Sequence, residues 1–337
     1  MVEQTTFGAP LGSIWNPKEA DPTGYTQPDR SKPALHSLPE KVPTITVMGT
    51  IRNERLALSR SLSVWLRQQK PDWLTVEYLI CDDGSCDGIE RVMENLLEAG
   101  APIRYTKWRL PGDEVERSCT VVFNAALRLV RSPLVLAQWY DRVPGSLAHL
   151  VALVAPHRRT KGIVTSATSR HIGSSSSVND MAPQQLAALL ALVDWKAKPE
   201  QLSLVAGPIG GHCVAGQATE SSGLCIAKDE LVALGGWDER YAQSRHGYPN
   251  VDLWRRVLGA GLVAQFPAEP VGANYHLSHP AGRREGKDTS LLSDVSLVRN
   301  PDGWSIRGPI YDSGPVDPRR KMGDKALSIL DSELTSG

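Results

Sequence analysis

The chain has 337 residues, and its 37 Lys and Arg balance 37 Asp and Glu, so the formal net charge at pH 7 is zero. This length suits one large domain or two small ones, and the balanced charge argues against binding nucleic acid or an anionic membrane through a global field. Five cysteines form no Cys-x-x-Cys pair, which indicates a reducing compartment rather than a disulfide framework. We find no signal-peptide pattern and no apolar run near the roughly 20 residues of a membrane span, and therefore expect a cytoplasmic protein.

The two ends of the chain differ in composition from its middle. Residues 1–41 are rich in Pro, Gly, Ser, Thr and charge, and they predict an extended arm. Trp15 and Tyr25 could anchor this arm to its own domain or to a neighbouring subunit, which would make a homo-oligomer; disorder of at least half of the arm is the alternative. Residues 281–337 return to Pro, Gly and charge and predict a C-terminal tail or lid. The folded domain is thus expected at residues 42–280.

Strands and helices alternate in the first half of this domain. This alternation predicts right-handed parallel crossovers and a Rossmann-like α/β half. The predicted strands span 44–48, 76–81, 103–108 and 134–137, and the predicted helices span 54–69, 88–99 and 120–130.

The second half is less regular. A Gly-rich span at 207–223 predicts a mobile loop that faces an acceptor. The predicted helices span 144–155, 183–195, 228–234 and 252–260, and the predicted strands span 162–166, 224–227, 262–265 and 272–275.

The stretch from 76 to 87 organises the site predictions. An apolar strand ends abruptly at Asp82-Asp83-Gly84-Ser85, a pattern typical of the carboxyl edge of a parallel sheet, where ligands bind. The two acids could accept hydrogen bonds from a base or ribose. The alternative is that one of them caps the following helix.

Several sequence segments, in their order, carry a resemblance to a known family. They are GTIRNERLALSRSLSVWLRQQ (49–69), CDDGSCD (81–87), FNAAL (123–127), LGGWDERY (234–241), GYPNVDLWRRVLGAGL (247–262) and NYHLSHP (274–280). Together they resemble the nucleotide-sugar glycosyltransferases of the GT-A fold, in the family-2-like group. The resemblance covers about residues 43–280. It implies a GT-A (Rossmann-like) mixed central sheet flanked by helices, with a nucleotide-binding half at about 42–145 and an acceptor half at about 146–280.

The resemblance implies where the donor binds. Thr50, Arg52 and Glu54 would lie beside the nucleotide, and either Asp82 or Asp83 would hold the base, usually uracil. The donor would then be a nucleotide sugar, with UDP as the expected nucleotide.

The resemblance also implies a metal site. Trp139-Tyr140-Asp141 occupies the place of the family's Asp-x-Asp, with Asp141 as a metal ligand and the two aromatic residues beside the nucleotide sugar. A hard cation, Mn²⁺ (or Mg²⁺), stabilises the charge that grows on the diphosphate leaving group. His276 would add a nitrogen ligand, which favours Mn²⁺, and His279 is a weaker candidate. Because Trp139 replaces the first Asp of the motif, metal affinity is expected to be lower.

The catalytic base implied by the resemblance is Asp252, which would accept the acceptor's proton in an inverting transfer. The alternative is that Asp252 caps the helix that begins there. Asp238 or Glu239 is the fallback base, and Trp237 would either stack on a sugar or belong to the core. The family often has Glu-Asp shortly before this acid, whereas positions 249–250 are Pro-Asn here.

The sequence leaves three functions to compare. The first is a metal-dependent, inverting glycosyltransferase that uses a nucleotide sugar and a hydroxyl acceptor. The second is a degenerate member that binds nucleotide or glycan without turnover, motivated by Trp139, Pro249 and Asn250. The third, a nucleotidyltransferase, is disfavoured because GTIRNER lacks a Gly-rich basic loop for a triphosphate. The acceptor is left open between a protein, a saccharide, a lipid-linked sugar and a modified base.

Overall fold

The computed structural model describes residues 44–110, 119–171, 204–205, 223–242, 249–268, 271–277, 290–306, 308–320 and 322–335. The predictions for the arm, the helix at 183–195, the loop up to residue 222 and His279 lie outside the described residues.

The described chain contains twelve strands and seven α-helices. The strands are β1 (Thr44–Ile51), β2 (Thr75–Asp82), β3 (Ile103–Lys107), β4 (Leu134–Ala137), β5 (Arg142–Pro144), β6 (Ile163–Ser166), β7 (Thr168–His171), β8 (Leu204–Val205), β9 (Leu224–Ala227), β10 (Val263–Pro267), β11 (Ala273–His276) and β12 (Tyr311–Asp312). The helices are α1 (Arg55–Trp65), α2 (Ile89–Glu98), α3 (Cys119–Leu127), α4 (His149–Val154), α5 (Lys228–Ala233), α6 (Pro249–Gly259) and α7 (Asp324–Thr335).

Nine of the strands form one mixed sheet in the order β12-β3-β2-β1-β4-β9-β6-β10-β8. β3, β2, β1 and β4 are parallel, as the alternating pattern predicts. β9 runs antiparallel to both β4 and β6, whereas β10 is parallel to β6. The predicted α/β fold, a mixed central sheet flanked by helices, is confirmed.

A second sheet of three strands stands at the end of β4. In the order β5-β11-β7, β11 is antiparallel to β5 and parallel to β7. This small sheet places the residues that follow β4 beside β11, a strand from much later in the chain.

Apolar side chains cover both faces of the large sheet. Ile45 and Val47 of β1 belong to one buried cluster, and Met48 belongs to the other. Strands buried on both faces have continuous apolar sequences, which explains why β4 and β9 occupy the predicted residues 134–137 and 224–227. None of the helices in the part of the chain described by the structure is long and apolar enough to cross a bilayer.

The C-terminal belt, as we name the described residues from 290 to 335, wraps around one edge of the large sheet. Leu297, Trp304 and Ile306 pack against the cluster on one face. β12 then pairs antiparallel with β3 at the edge. α7 packs on the opposite face, where Ala326 and Leu330 are fully buried. Both faces of the core are therefore closed in part by the end of the chain.

One predicted helix is wrong in its boundaries. The sequence predicts a helix over 144–155, but the structure has strand β5, a turn at residues 147–148, and the shorter helix α4. The Ser146 hydroxyl accepts a hydrogen bond from the Ala148 backbone N–H (3.0 Å) and so helps to delay the helix. The strand forms because β11 lies alongside to pair with it, a partner that no local pattern reveals.

Candidate active site

The candidate site lies at the point where the order of the parallel strands reverses. β2 and β3 lie on one side of β1 and β4 lies on the other, and in open α/β sheets ligands bind at the carboxyl ends of strands flanking such a point. A cavity of about 250 Å³ occurs there. It is lined by Thr50, Ile51, Arg52, Glu54, Asp83, Cys119, Trp139 and Asp141.

β1 and the segment after β4 meet closely beside this cavity. The Gln138 backbone N–H donates to the Met48 carbonyl (2.8 Å). A Cβ atom at Gly49 would lie 2.2 Å from the Gln138 carbonyl oxygen and 2.5 Å from the Tyr140 ring. Glycine at position 49 therefore permits the contact that sets Thr50 next to Trp139.

The two acids that end β2 have different environments. Asp82 is fully buried, and its carboxylate accepts hydrogen bonds from the Tyr105 hydroxyl (2.6 Å) and the Ser85 backbone N–H (2.8 Å). Asp83 lines the cavity, and its carboxylate lies 3.2 Å from the Arg109 guanidinium. The prediction that Asp82 contacts the nucleotide needs correction, because one of its carboxylate oxygens accepts from Ser85 in the turn and the other accepts from Tyr105 of β3.

The helix-cap alternative for these acids is also wrong. α2 begins at Ile89, and the carboxylate that accepts its first backbone N–H belongs to Asp87 (3.3 Å). Asp82 instead accepts from Ser85 inside the turn. The last acid of CDDGSCD, Asp87, thus caps α2, and Asp83 lines the cavity.

The small sheet joins Asp141 to His276. His276 of β11 pairs with Arg142 of β5, and the Leu277 backbone N–H donates to the Asp141 carbonyl (2.6 Å). Across this pairing, His276 Nε2 lies 2.9 Å from Asp141 Oδ2, and Arg142 Nε lies 3.6 Å from Asp141 Oδ1. A carboxylate on the cavity wall is thus held beside an imidazole and a guanidinium.

The aromatic residues before Asp141 differ in accessibility. Trp139 lines the cavity, with its ring edge-on to Phe123 (centroids 6.2 Å apart) and the Arg142 guanidinium 5.9 Å from its centroid. Tyr140 is buried in the core, and burial raises the pKa of its hydroxyl well above the usual value. Tyr140 as a nucleotide-sugar contact therefore needs correction, since its ring packs against Gly49.

The side chains of Asp141 and His276 fit a divalent cation as two of its ligands. Carboxylate oxygen suits Mg²⁺ and Mn²⁺, and imidazole nitrogen favours Mn²⁺. The 2.9 Å between His276 Nε2 and Asp141 Oδ2 is a hydrogen-bond distance, so the two side chains that would hold the ion lie together. Among the described residues, no group of three or more His, Cys, Asp or Glu is arranged to hold a metal. The remaining ligands would come from donor phosphate oxygens and water.

The two predicted catalytic acids lie outside the cavity lining and require correction. Asp252 is 2% exposed, and its carboxylate accepts from Arg256 Nε (2.8 Å) and from an Arg299 terminal nitrogen (2.8 Å). Asp238 is 1% exposed and is bound by Arg240 (2.6 Å) and Arg299 (3.0 Å). Both acids are anchors of the C-terminal belt, to which Arg299 belongs.

The charges around Asp238 fix its protonation state. Burial by itself raises the pKa of this carboxyl, but the hydrogen bonds and positive charges of Arg240 and Arg299 outweigh burial and hold the pKa below its usual range. Asp238 therefore stays ionised, as an ion-pair partner must.

The residues on either side of Asp238 in LGGWDERY also contact other side chains and backbone groups within the protein. Trp237 is 1% exposed and stacks on Phe123, with centroids 4.8 Å apart. Its stacking on a sugar is thus wrong, because both the ring and the backbone are inside the core. The Glu239 carboxylate accepts from the Asn124 side chain (3.0 Å) and from the Ser305 backbone N–H (2.9 Å).

Two further residues near the site carry no clear signal in the sequence. Arg109 reaches Asp83 because β3 is parallel to β2, so that the ends of the two strands lie side by side. Cys119 lines the cavity as the first residue of α3. The segment FNAAL predicts the helix, but nothing in it indicates which residue of the first turn faces a ligand.

Solved structures of other proteins are similar to the chain at low sequence identity. No protein-family model and no curated protein matches the chain. Similar solved structures include the mannosyltransferase PcManGT from Pyrobaculum calidifontis in complex with GDP-Man and Mn²⁺, at 16% identity and a TM-score of 0.48, over 75% of this chain and 62% of that chain. S. aureus TarS is similar at 12% identity and a TM-score of 0.48, over 69% and 36% of the two chains. TarS 1-349 in complex with UDP-GlcNAc has 13% identity and a TM-score of 0.46, over 72% and 59%.

The chain spans less than two thirds of the length of each of these proteins. What they bind is a property of those proteins, so the function of this chain depends on the chemistry of its own site.

Proposed function

We propose that the protein is a glycosyltransferase that moves a sugar from a nucleotide-sugar donor, with UDP as the nucleotide, to a hydroxyl acceptor. The observation that carries the proposal is the cavity at the strand-order reversal, where Asp83 and Asp141 face one space and His276 lies 2.9 Å from Asp141. Asp83, Asp141 and His276 come from three distant segments, and the fold gathers them at the edge of the sheet where α/β proteins bind ligands.

The nucleotide side of the cavity suits a base and a phosphate together. The Asp83 carboxylate accepts hydrogen bonds, as the N3–H of uracil requires, and Arg109 at 3.2 Å keeps this carboxylate oriented. Thr50, Arg52 and Glu54 line the same space. A guanidinium such as that of Arg52 binds phosphate oxygens with charge-assisted hydrogen bonds.

The leaving-group side involves Asp141 and His276. When bound, a divalent cation supplies Lewis-acid stabilisation of the charge that develops on the diphosphate as the glycosidic bond breaks. In this proposal Asp141 and His276 hold that cation, Mn²⁺ or Mg²⁺, and Arg142 at 3.6 Å keeps the Asp141 carboxylate in place. With two protein ligands, we expect metal to bind weakly alone and tightly with the nucleotide.

On the acceptor side, the proposed general base differs from the one expected from the sequence. An inverting transfer requires a carboxylate within hydrogen-bond reach of the acceptor hydroxyl. Among the described residues, the acids that line the cavity are Glu54, Asp83 and Asp141, whereas Asp252 and Asp238 are buried with arginines. Because Asp83 and Asp141 are assigned to the nucleotide and the cation, Glu54 takes the role of general base in this proposal. The acceptor class remains a protein, a saccharide or a modified base that presents a hydroxyl.

The burial of Asp252 favours a second candidate function, a nucleotide- or glycan-binding protein without turnover. Asp252 occupies the position of the family's base and is neutralised by Arg256 and Arg299. A protein that keeps the donor cavity but has turned this acid into a structural ion pair would bind a nucleotide sugar and not transfer the sugar.

The decisive experiment measures binding and turnover separately. Isothermal titration of the full chain with UDP and with GDP, each with and without Mn²⁺, tests for the nucleotide, and incubation with UDP-sugars and Mn²⁺ tests for slow hydrolysis that releases UDP. We expect UDP to bind with Mn²⁺, and Asp141→Asn to abolish the Mn²⁺ dependence. Asp317→Asn, at an exposed carboxylate of the belt, is the matched control and should bind like the wild type.

The outcomes separate the two candidates. Binding with UDP release supports the transferase, and binding without release of UDP from any sugar donor supports the second candidate. Absence of UDP and GDP binding under every metal condition would reject both the transferase and nucleotide binding without turnover.

A further inference from the structure

Two loops form the nucleotide side of the cavity. The first loop, residues 52–54, joins β1 to α1 and contributes Arg52 and Glu54 to the cavity lining. The second loop, residues 83–88, joins β2 to α2 and contributes Asp83. The spacing between Asp83 and the first-loop side chains therefore depends on how the two loops are held together.

The middle of the two loops is joined by reciprocal hydrogen bonds. The Asn53 backbone N–H donates to the Ser85 hydroxyl (2.9 Å), and the Cys86 backbone N–H donates to the Asn53 side-chain oxygen (2.8 Å). Asn53 has a φ of +54°, a left-handed conformation that asparagine adopts more readily than most residues. The first loop thus turns sharply at the point where it contacts the second.

Asp87 joins the ends of the same loops. One oxygen of its carboxylate accepts from the Arg55 backbone N–H (2.6 Å), at the start of α1, and the other accepts from the Ile89 backbone N–H (3.3 Å), at the start of α2. The first N–H groups of a helix lack partners within the helix, and an anion there also interacts favourably with the helix dipole. A single carboxylate therefore serves the N-termini of two helices from different parts of the chain.

This shared cap affects a cavity residue directly. Glu54 occupies the N-cap position of α1, yet its side chain makes no capping hydrogen bond. Asp87 supplies the cap from the other loop, and Glu54 is one of the residues that line the cavity.

We propose that Asp87 is a positioning residue that fixes the distance between the two nucleotide loops and so sets the affinity for the nucleotide. This inference deepens the proposed function and rests on it. Asp87 is not among the residues that line the cavity, so it acts through Glu54 and Arg52 on one loop and Asp83 on the other. Loss of its carboxylate would release the first turn of both helices and separate these side chains.

The test uses two substitutions at position 87 and a destabilised control. Asp87→Ala removes both acceptors, and Asp87→Asn keeps one carbonyl oxygen. Val92→Ala shortens a buried side chain one turn into α2; it lowers the melting temperature and removes none of the side-chain hydrogen bonds that join the two loops. Misplacing positioned groups by about 1 Å can cost about a hundredfold in reaction rate, and we expect UDP affinity in the presence of Mn²⁺ to fall about tenfold or more in Asp87→Ala. Asp87→Asn should lie between this variant and the wild type, and Val92→Ala should keep wild-type affinity.

Hydrogen exchange of the nucleotide-free protein tests the connection between the loops independently of the ligand. We expect faster exchange in Asp87→Ala at both 53–56 and 85–90, whereas Val92→Ala should keep wild-type exchange at 53–56. Asp87→Ala with UDP affinity within twofold of the wild type, or with slow exchange retained in both loops, would overturn the inference. If the wild type binds neither UDP nor GDP, the proposed function fails, and the exchange of the two loops still decides whether Asp87 holds them together.

Discussion

Arg299 connects two acids that the sequence assigns to catalysis. Its guanidinium lies 2.8 Å from Asp252 and 3.0 Å from Asp238, and all three side chains are buried. A buried ion pair stabilises little compared with an apolar pair of the same shape, but removal of one partner leaves an uncompensated charge. The acids are therefore expected to control stability rather than chemistry.

Substitution of Asp252 separates these roles. In Asp252→Asn, the positive charges of Arg256 and Arg299 lose their buried counter-charge, and we expect the free energy of unfolding in urea to fall by about 3–5 kcal/mol. UDP affinity of the folded protein should not change. Asp331→Asn, at an exposed pair with Arg67, is the control and should cost no more than about 1 kcal/mol. Wild-type stability together with lost turnover would return Asp252 to the role of base.

Gly49 offers a second test at the scale of one residue. In Gly49→Ala the new methyl group would meet the Gln138 carbonyl and the Tyr140 ring. Such overpacking costs about 1–3 kcal/mol, and we expect this loss in urea unfolding together with weaker UDP binding, because Trp139 and Asp141 must shift. Gly308→Ala is the matched control, since a methyl group at that position would meet no atom within 4 Å. Equal behaviour of the two variants would show that the contact at Gly49 is unimportant.

At the scale of elements, α7 closes the face of the sheet that carries α1 and α2. Leu330 and Ala326 are fully buried there, and Arg55 of α1 pairs with Glu333 of α7 (2.5 Å). The first nucleotide loop leads directly into α1. The contacts of α7 with α1 therefore support the helix that follows this loop. The ion pair is partly exposed and contributes little, so the apolar contacts carry most of the attachment.

Truncation of one α7 side chain tests this attachment. Leu330→Ala removes a buried side chain and leaves a cavity, which typically costs about 2–5 kcal/mol. We expect a reduction of this size in the free energy of urea unfolding, with a single transition. Lys325→Ala, on the exposed side of the same helix, should leave stability within about 0.5 kcal/mol of the wild type. A separate early transition in Leu330→Ala would instead show that α7 detaches independently of the core.

At the scale of the whole molecule, two buried histidines connect stability to pH. Burial lowers the pKa of His149 and of His157 to about 4. His149 Nδ1 lies 2.7 Å from the Val271 carbonyl oxygen, and His157 Nε2 lies 3.2 Å from the Thr165 hydroxyl. An unfolded histidine has a pKa of about 6.5, so between these values the unfolded chain binds more protons than the folded one.

Stability should therefore fall as the pH is lowered from about 6.5 towards 4. From pH 6.5 to pH 5 each histidine should contribute a loss of about 2 kcal/mol, measured by urea unfolding across this range. His149→Gln and His157→Gln carry side chains that do not titrate, and each should reduce the slope of stability against pH. An unchanged slope in the double variant would show that other groups govern the acid sensitivity.

The sequence predicts the elements whose signal is local. It places β4 and β9 at their observed residues because strands buried on both faces form continuous apolar runs. It does not predict β5, β7 and β12, since they are two to four residues long and form by pairing with strands far away in the chain. Nor does it predict α7, because the few apolar residues of this helix lie in a charged tail. Its apolar face is buried only by packing against α1 and α2.

The sequence by itself determined the alternation of strands and helices and the acids that end β2, and it predicted Asp141 and His276 as site residues. The tertiary structure alone decided which acids line the cavity and which are buried between two arginines. Asp83 lines the cavity, whereas Asp252 is paired with Arg299, 47 residues away in the chain. The physical reason is that a carboxylate's burial and partner are set by contacts between distant segments, and a local sequence motif does not encode those contacts.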